Sequence, residues 1–151
     1  MNPTGTLAGI ARKAAPKAIV EPLERISISV ERGIEGDFRG KHRKRKVTVM
    51  RLEDWHAACH DINRPDLPWT TRRANLLVTG ITLPHHVGDH IHIGDVILQI
   101  TGETEPCQRM EQAAAGLEAA LRPGWRGGVT CLVVRGGEIA LDDPVSLAAA
   151  P

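Results

Sequence analysis

From His90 to Thr101 the sequence alternates twice, as His90-Ile91-His92-Ile93 and Val96-Ile97-Leu98-Gln99-Ile100-Thr101, around a Gly94-Asp95 pair. Strand side chains point to opposite faces with period two, and a Gly-Asp pair is turn chemistry, so this stretch reads as a β-hairpin. The same signature recurs along the chain. Thr4–Arg12 and Arg25–Val30 alternate, with Ile26, Ile28 and Val30 on one side and Ser27 and Ser29 on the other. Val47-Thr48-Val49 is β-branched, and Asn75-Leu76-Leu77-Val78 is an apolar run closed by Gly80, as expected of a buried strand. Val129–Arg135, Gly136-Gly137 and Glu138–Leu141 read as a closing hairpin, followed by Asp143-Pro144-Val145.

Helical signals are fewer. Leu52–Ile62 lacks Gly and Pro and carries Glu53 and Asp54 near its start, where acidic side chains suit the helix dipole. Pro106 can open a helix running through Met110 to Ala115, and Leu117–Leu121 forms a second helical piece. Many short strands with two or three helices predict a mainly β, barrel-like fold, with the helices outside it or across one mouth. At 151 residues the chain has room for one ordinary domain, and no internal repeat is visible.

Charge and cysteine usage exclude several classes. A net charge of +1 argues against a broadly basic nucleic-acid or membrane-surface protein. With aromatics at 3% and no Tyr, stacking on bases is excluded as the main activity. No run approaches a membrane span or a secretory signal, so a cytoplasmic location is expected. Three cysteines without CxxC spacing fit a reducing compartment and disfavour a disulfide framework or an all-Cys metal site.

Each cysteine is then judged alone. Cys131 lies in an apolar strand and Cys59 among helical alanines, and both read as packing. Cys107, in Thr104-Glu105-Pro106-Cys107-Gln108-Arg109, stands at a strand-to-helix step, where free backbone N–H groups and Arg109 favour a thiolate. Such a thiolate serves as a nucleophile or a soft-metal ligand, and a buried small hydrophobe is the alternative. His90 and His92 read as solvated strand histidines on the face opposite Ile91 and Ile93. His56 and His60 are four apart on a helix, but Ala57 stands where a hydrolytic zinc helix carries its Glu. The basic run Arg39–Lys46 reads as a solvated loop, with Arg45 as the exception able to reach a phosphate. Gly33-Ile34-Glu35-Gly36-Asp37 lacks the Gly-Lys-Ser/Thr of a P-loop, and Asp37 could still serve as a hydrogen-bond acceptor.

Taken together, Arg73-Ala74-Asn75-Leu76-Leu77-Val78-Thr79-Gly80, Val87-Gly88-Asp89, Ile93-Gly94-Asp95, Thr101-Gly102 and Pro106-Cys107 resemble the central signature of MOSC domains, named for the C-terminal domain of molybdenum-cofactor sulfurases. Gly33–Asp37 and Arg45-Lys46-Val47 upstream, and Gly127-Gly128-Val129 with Val133–Gly137 downstream, extend the resemblance from about Gly5 to Val145. It departs at Asp142-Asp143, where the family usually has Gly-Asp before Pro-Val, so a different last turn is expected. The sequence also holds neither the additional β-domain of the larger cofactor-reducing members nor a ferredoxin-like extension.

The resemblance implies a MOSC-type β-barrel over residues 1–151 with a core at about 5–145. It implies the molybdenum cofactor (molybdopterin), with Cys107 as metal ligand and catalytic residue. It places Arg73 and Asn75 on the cofactor, then Arg45, Thr104 and Arg109, with Arg72 and Arg126 behind them. Arginine forks suit the cofactor's phosphate. The leading expectation is a molybdoenzyme or subunit reducing N-hydroxylated or similar small substrates, with electrons from a flavin or iron–sulfur protein, since these cysteines cannot hold a cluster. A sulfur carrier fed by a cysteine desulfurase through a Cys107 persulfide, and a non-enzymatic cofactor-binding module, are the alternatives.

Overall fold

A computed structural model describes residues 4–150. The chain opens with β1 (Gly5–Arg12), β2 (Glu21–Leu23), β3 (Arg25–Ser29) and the short β4 (Gly33–Ile34). After a 3-10 turn at Phe38–Lys41 come β5 (Val47–Arg51), α1 (Leu52–Asp61), a second 3-10 turn at Trp69–Arg72, and β6 (Leu76–Thr79). The expected hairpin is present as β7 (His90–Ile93) and β8 (Val96–Glu103). Then follow α2 (Gln108–Ala113), α3 (Leu117–Ala120), β9 (Val129–Arg135), β10 (Gly137–Ala140) and β11 (Pro144–Ala148).

Seven strands, in the order β11-β7-β8-β9-β5-β6-β1, close into a barrel because β1 also pairs with β11, Gly5 opposite Val145. Closure removes the open edges that invite unwanted strand pairing. β5 and β6 are the one parallel neighbouring pair in this ring, and a parallel pair needs a crossover, which α1 provides. No helix among the described residues is long and apolar enough to cross a membrane.

Side-chain alternation explains the two cores. Leu76 and Val78 point into the barrel with Val47, Val49, Leu98, Ile100 and Val129. Leu77 and Met50 point outward beneath a cap that includes Trp55, Met110, Leu117 and Leu121. Burial on both faces is why Leu76-Leu77-Val78 reads as an unbroken apolar run. Glu53, in the first turn of α1, accepts from the Thr79 hydroxyl at 3.0 Å and the Gly80 N–H at 2.8 Å, tying the helix to the end of β6.

The expected closing hairpin does not form. β9 pairs with β8 and β5, while β10 crosses to a separate three-stranded sheet, β10-β3-β4, with Ile139 opposite Ile26. Gly136 makes the crossing possible: a Cβ there would lie 2.5 Å from the Ile28 carbonyl oxygen, so only glycine lets the two backbones approach. At the family's glycine position before Pro144, Asp142 takes a left-handed conformation, φ 75°, which Asp tolerates better than most side chains. The Asp143 carboxylate caps the Ala140 N–H at 2.9 Å. His90 and His92 lie opposite the buried Ile91 and Ile93, as expected, but are half-covered, because β7 is flanked on both sides, by β8 and β11.

Candidate functional site

Just before β6 the chain carries two adjacent arginines. Arg72 ends the Trp69–Arg72 turn, and Arg73 reverses the chain in a left-handed conformation, φ 69° and ψ 24°. An arginine in that region costs about 1 kcal/mol or more, a local strain that the surrounding structure must hold. Arg39 helps by donating to the Arg73 carbonyl at 2.8 Å.

Arg72 is only 7% exposed. Its guanidinium donates to the carbonyl oxygens of Thr104 at 2.8 Å and Gly127 at 3.3 Å. A Cβ on Gly127 would lie 2.4 Å from the Thr104 oxygen and 3.0 Å from the Arg72 guanidinium, so glycine is what admits the arginine. No carboxylate pairs with Arg72 among the described residues, and desolvation pushes its pKa down to about 10, the nearby Cys107 and Glu103 offsetting only part of this. A buried cation without a counter-charge is costly. An anion beside it would restore what burial removed.

Such an anion has a place. Arg39, Arg45, Arg72, Arg73 and Arg109 surround a cavity of about 250 Å³, together with His42 and the threonines Thr48, Thr104 and Thr130. Among these arginines only Arg39 has a carboxylate beside it in the described residues, Asp37 at 3.5 Å. The Thr104 hydroxyl oxygen is buried and has no hydrogen-bond partner. Among the described residues no three His, Cys, Asp or Glu side chains gather as a metal site. A metal here would therefore arrive with ligands of its own.

Cys107 is exposed at the N-terminal cap of α2, with extended φ −132° and ψ −177°. The helix begins at Gln108, later than expected from Pro106, because Pro106 is buried and packs toward Gly127. Cys59 and Cys131 are buried, and burial pushes both thiols up.

The structure thus brings Arg73, Arg45, Thr104 and Arg109 to one cavity, whose lining does not include Cys107. Asn75 is not among its lining residues. Its side chain is fully buried and occupied, accepting from the Thr48 N–H at 3.1 Å and donating to the Ala11 carbonyl at 3.1 Å, which joins β5 and β1 beneath the site. Arg126 lies elsewhere, paired with Asp61 at 2.6 Å. Arg72, ranked behind the others by the sequence, is the most deeply buried of the cations lining this cavity. Arg39 and His42, read as solvated loop, face the cavity as well.

Asp37 is a buried carboxylate accepting from the Lys13 and Arg39 N–H groups at 2.8 and 3.1 Å. Burial raises its pKa above 3.8, against the opposing pull of Arg39. A folded-state pKa above the unfolded one means that protonation favours folding. This contribution is fully present below pH 3.8 and is lost as pH rises through the folded value. A carboxyl-carbon NMR titration should therefore place the Asp37 midpoint above the ordinary aspartate value; a midpoint below it would put Arg39 in control and reverse the sign.

The chain is a closed β-barrel carrying an arginine-lined cavity, with an exposed thiol elsewhere on its surface. The MOSC domain model matches residues 36–146, and the chain belongs to the MOSC domain family, which is associated with molybdenum-cofactor binding. Among solved structures, the YuaD protein from Bacillus subtilis is 15% identical with a TM-score of 0.85, over 100% of this chain and 99% of that one. YiiM from Escherichia coli is 16% identical with a TM-score of 0.72, over 97% and 71% of the two chains. YiiM from Geobacillus stearothermophilus is 15% identical with a TM-score of 0.69, over 97% and 75%. At these identities the likeness establishes the fold. No curated protein matches in sequence.

Proposed function

We propose that this chain binds the molybdenum cofactor, its phosphate held by the cavity arginines and its metal ligated by Cys107. The observation that carries this reading is the desolvated, unpaired Arg72 at a cavity shared with Arg39, Arg45, Arg73 and Arg109. The partnerless Thr104 hydroxyl offers a further hydrogen bond to an incoming ligand. Asn75 supports the site from below by fixing β6 against β1 and β5. Bound there, the cofactor would supply the oxygen-removing redox chemistry that reduces N-hydroxylated or similar small substrates. The chain's own part is to neutralise the phosphate, orient the ligand and keep one thiol accessible. Electrons would come from a flavin or iron–sulfur partner, because the three cysteines stand on separate elements and cannot hold a cluster.

Metal and pterin analysis of protein made in a cofactor-competent host tests this reading. Wild type is expected to carry both in near-stoichiometric amount, and Cys107→Ser to keep both while X-ray absorption loses one sulfur neighbour of the metal. Absence of both from wild type would end the proposal.

The exposure of Cys107 favours one second reading, a sulfur carrier, since a persulfide must be reachable by its donor. Incubation with a cysteine desulfurase should then add one sulfur to the Cys107 peptide in mass spectrometry, in protein free of molybdenum. Labelling confined to Cys59 or Cys131 excludes it.

A further inference from the structure

Beyond Arg73 the cavity adjoins a more open groove of about 580 Å³, and Arg73 and Arg109 line both. Lys13 also lines the groove although it is only 2% exposed. Its ammonium donates to the Pro16 carbonyl oxygen, and the Arg73 guanidinium donates to the same oxygen at 2.6 Å. Neither cation is ion-paired with a carboxylate among the described residues. The Phe38 ring, 5.6 Å from the ammonium, adds only a weak attraction.

Two cations on one carbonyl oxygen is an under-compensated arrangement. An ammonium loses several kcal/mol of hydration on burial, and a neutral carbonyl carries too little charge to replace it. A carboxylate or phosphate oxygen in the same place would satisfy both groups with charge-assisted bonds. Pro16 belongs to the irregular segment between β1 and β2, where residues 14–17 are exposed and Ile19 is 90% exposed, so moving it sacrifices little packing. Arg73 also lines the inner cavity, which puts this second cation pair within reach of a molecule held there.

We infer that Lys13 and Arg73 form a second oxyanion subsite, covered by the Pro16 carbonyl, which takes the carboxylate or phosphate of a small-molecule substrate bound at the inner cavity. The role as a substrate subsite rests on the proposed function; the anion site itself stands on the Lys13–Pro16–Arg73 geometry. Substrates bearing an acidic group displace the Pro16 segment, and neutral analogues leave it in place.

NMR titration of the protein as purified, with inorganic phosphate and separately with acetate, tests this. The amide signals of Ala14, Ala15, Lys17 and Ala18 and the Arg73 Nε signal should move saturably with at least one anion, and which anion acts tells phosphate from carboxylate. Lys13→Met should weaken that response about tenfold or more, the loss of one charge-assisted hydrogen bond, while the Arg72 Nε response keeps its affinity. If Lys13→Met does not fold, Arg73→Gln carries the same expectation for the segment. A silent segment while Arg72 responds to phosphate, or unchanged segment affinity in a folded variant, overturns the inference. Failure of the cofactor proposal would look different: no pterin in the purified protein and a silent Arg72, whatever the segment does.

Discussion

Replacing Asn75 with leucine should cost about 3 to 5 kcal/mol of stability, the largest loss expected from any near-isosteric substitution in this chain. The side chain is wholly buried, and its amide is shared between two strands. Leucine would strand the Thr48 N–H and the Ala11 carbonyl, each left in a dry environment at about 1 to 3 kcal/mol. It would also remove the acceptor that now faces the Thr48 hydroxyl at 3.3 Å. Urea unfolding should show a lower midpoint with an unchanged slope. A loss below about 1 kcal/mol would mean that water or a shifted strand can satisfy these groups, and would remove Asn75 as the tie between β1, β5 and β6.

Arg72→Met should abolish ligand retention while leaving the fold largely in place. Losing a desolvated cation that faces an anion typically costs about 2 to 5 kcal/mol, so pterin and molybdenum affinity should fall by about thirtyfold or more. Stability responds in two opposing directions. The variant no longer buries an uncompensated guanidinium, yet it leaves the Thr104 and Gly127 carbonyls without their donor. Arg45→Met supplies the comparison, because Arg45 is exposed and its effect should be several-fold at most and weakened further by salt. Equal effects at the two positions, measured as cofactor content and residual phosphate binding, would count against Arg72 as the principal anion anchor.

Much of the barrel was legible because local pattern and tertiary demand agree. The β7–β8 hairpin, the doubly buried β6 and the acid-started α1 each satisfy the same rule at both levels. The β9–β10 turn was misread for a physical reason. Gly136-Gly137 has the chemistry of a tight hairpin, but β10 finds its partner in β3, more than a hundred residues earlier, and nothing local in Glu138–Leu141 encodes that choice.

The site was legible in its residue types and less so in their depth. Arg73, Arg45, Thr104 and Arg109 were marked through the family resemblance, and all of them line the cavity. Arg72 ranks behind the other candidates in the sequence, because its burial depends on a glycine 55 positions away that leaves room for it. Arg39 and His42 were hidden inside a basic run whose composition says solvent. Asn75 misled in the other direction: a polar residue within a signature motif invites a ligand, whereas here its hydrogen bonds go to the backbone that builds the floor.

The cavity wall is assembled from Phe38–Thr48, Arg72–Ala74, Thr104–Arg109 and Thr130, segments that span most of the chain. A nascent polypeptide that ends before Gly127 has neither Thr130 nor the glycine that lodges Arg72, so the cavity is incomplete until the last strands are made. On the proposed function, loading would then be a post-synthetic event that draws the population toward finished barrels by mass action, and ligand-poor protein would melt at a lower temperature.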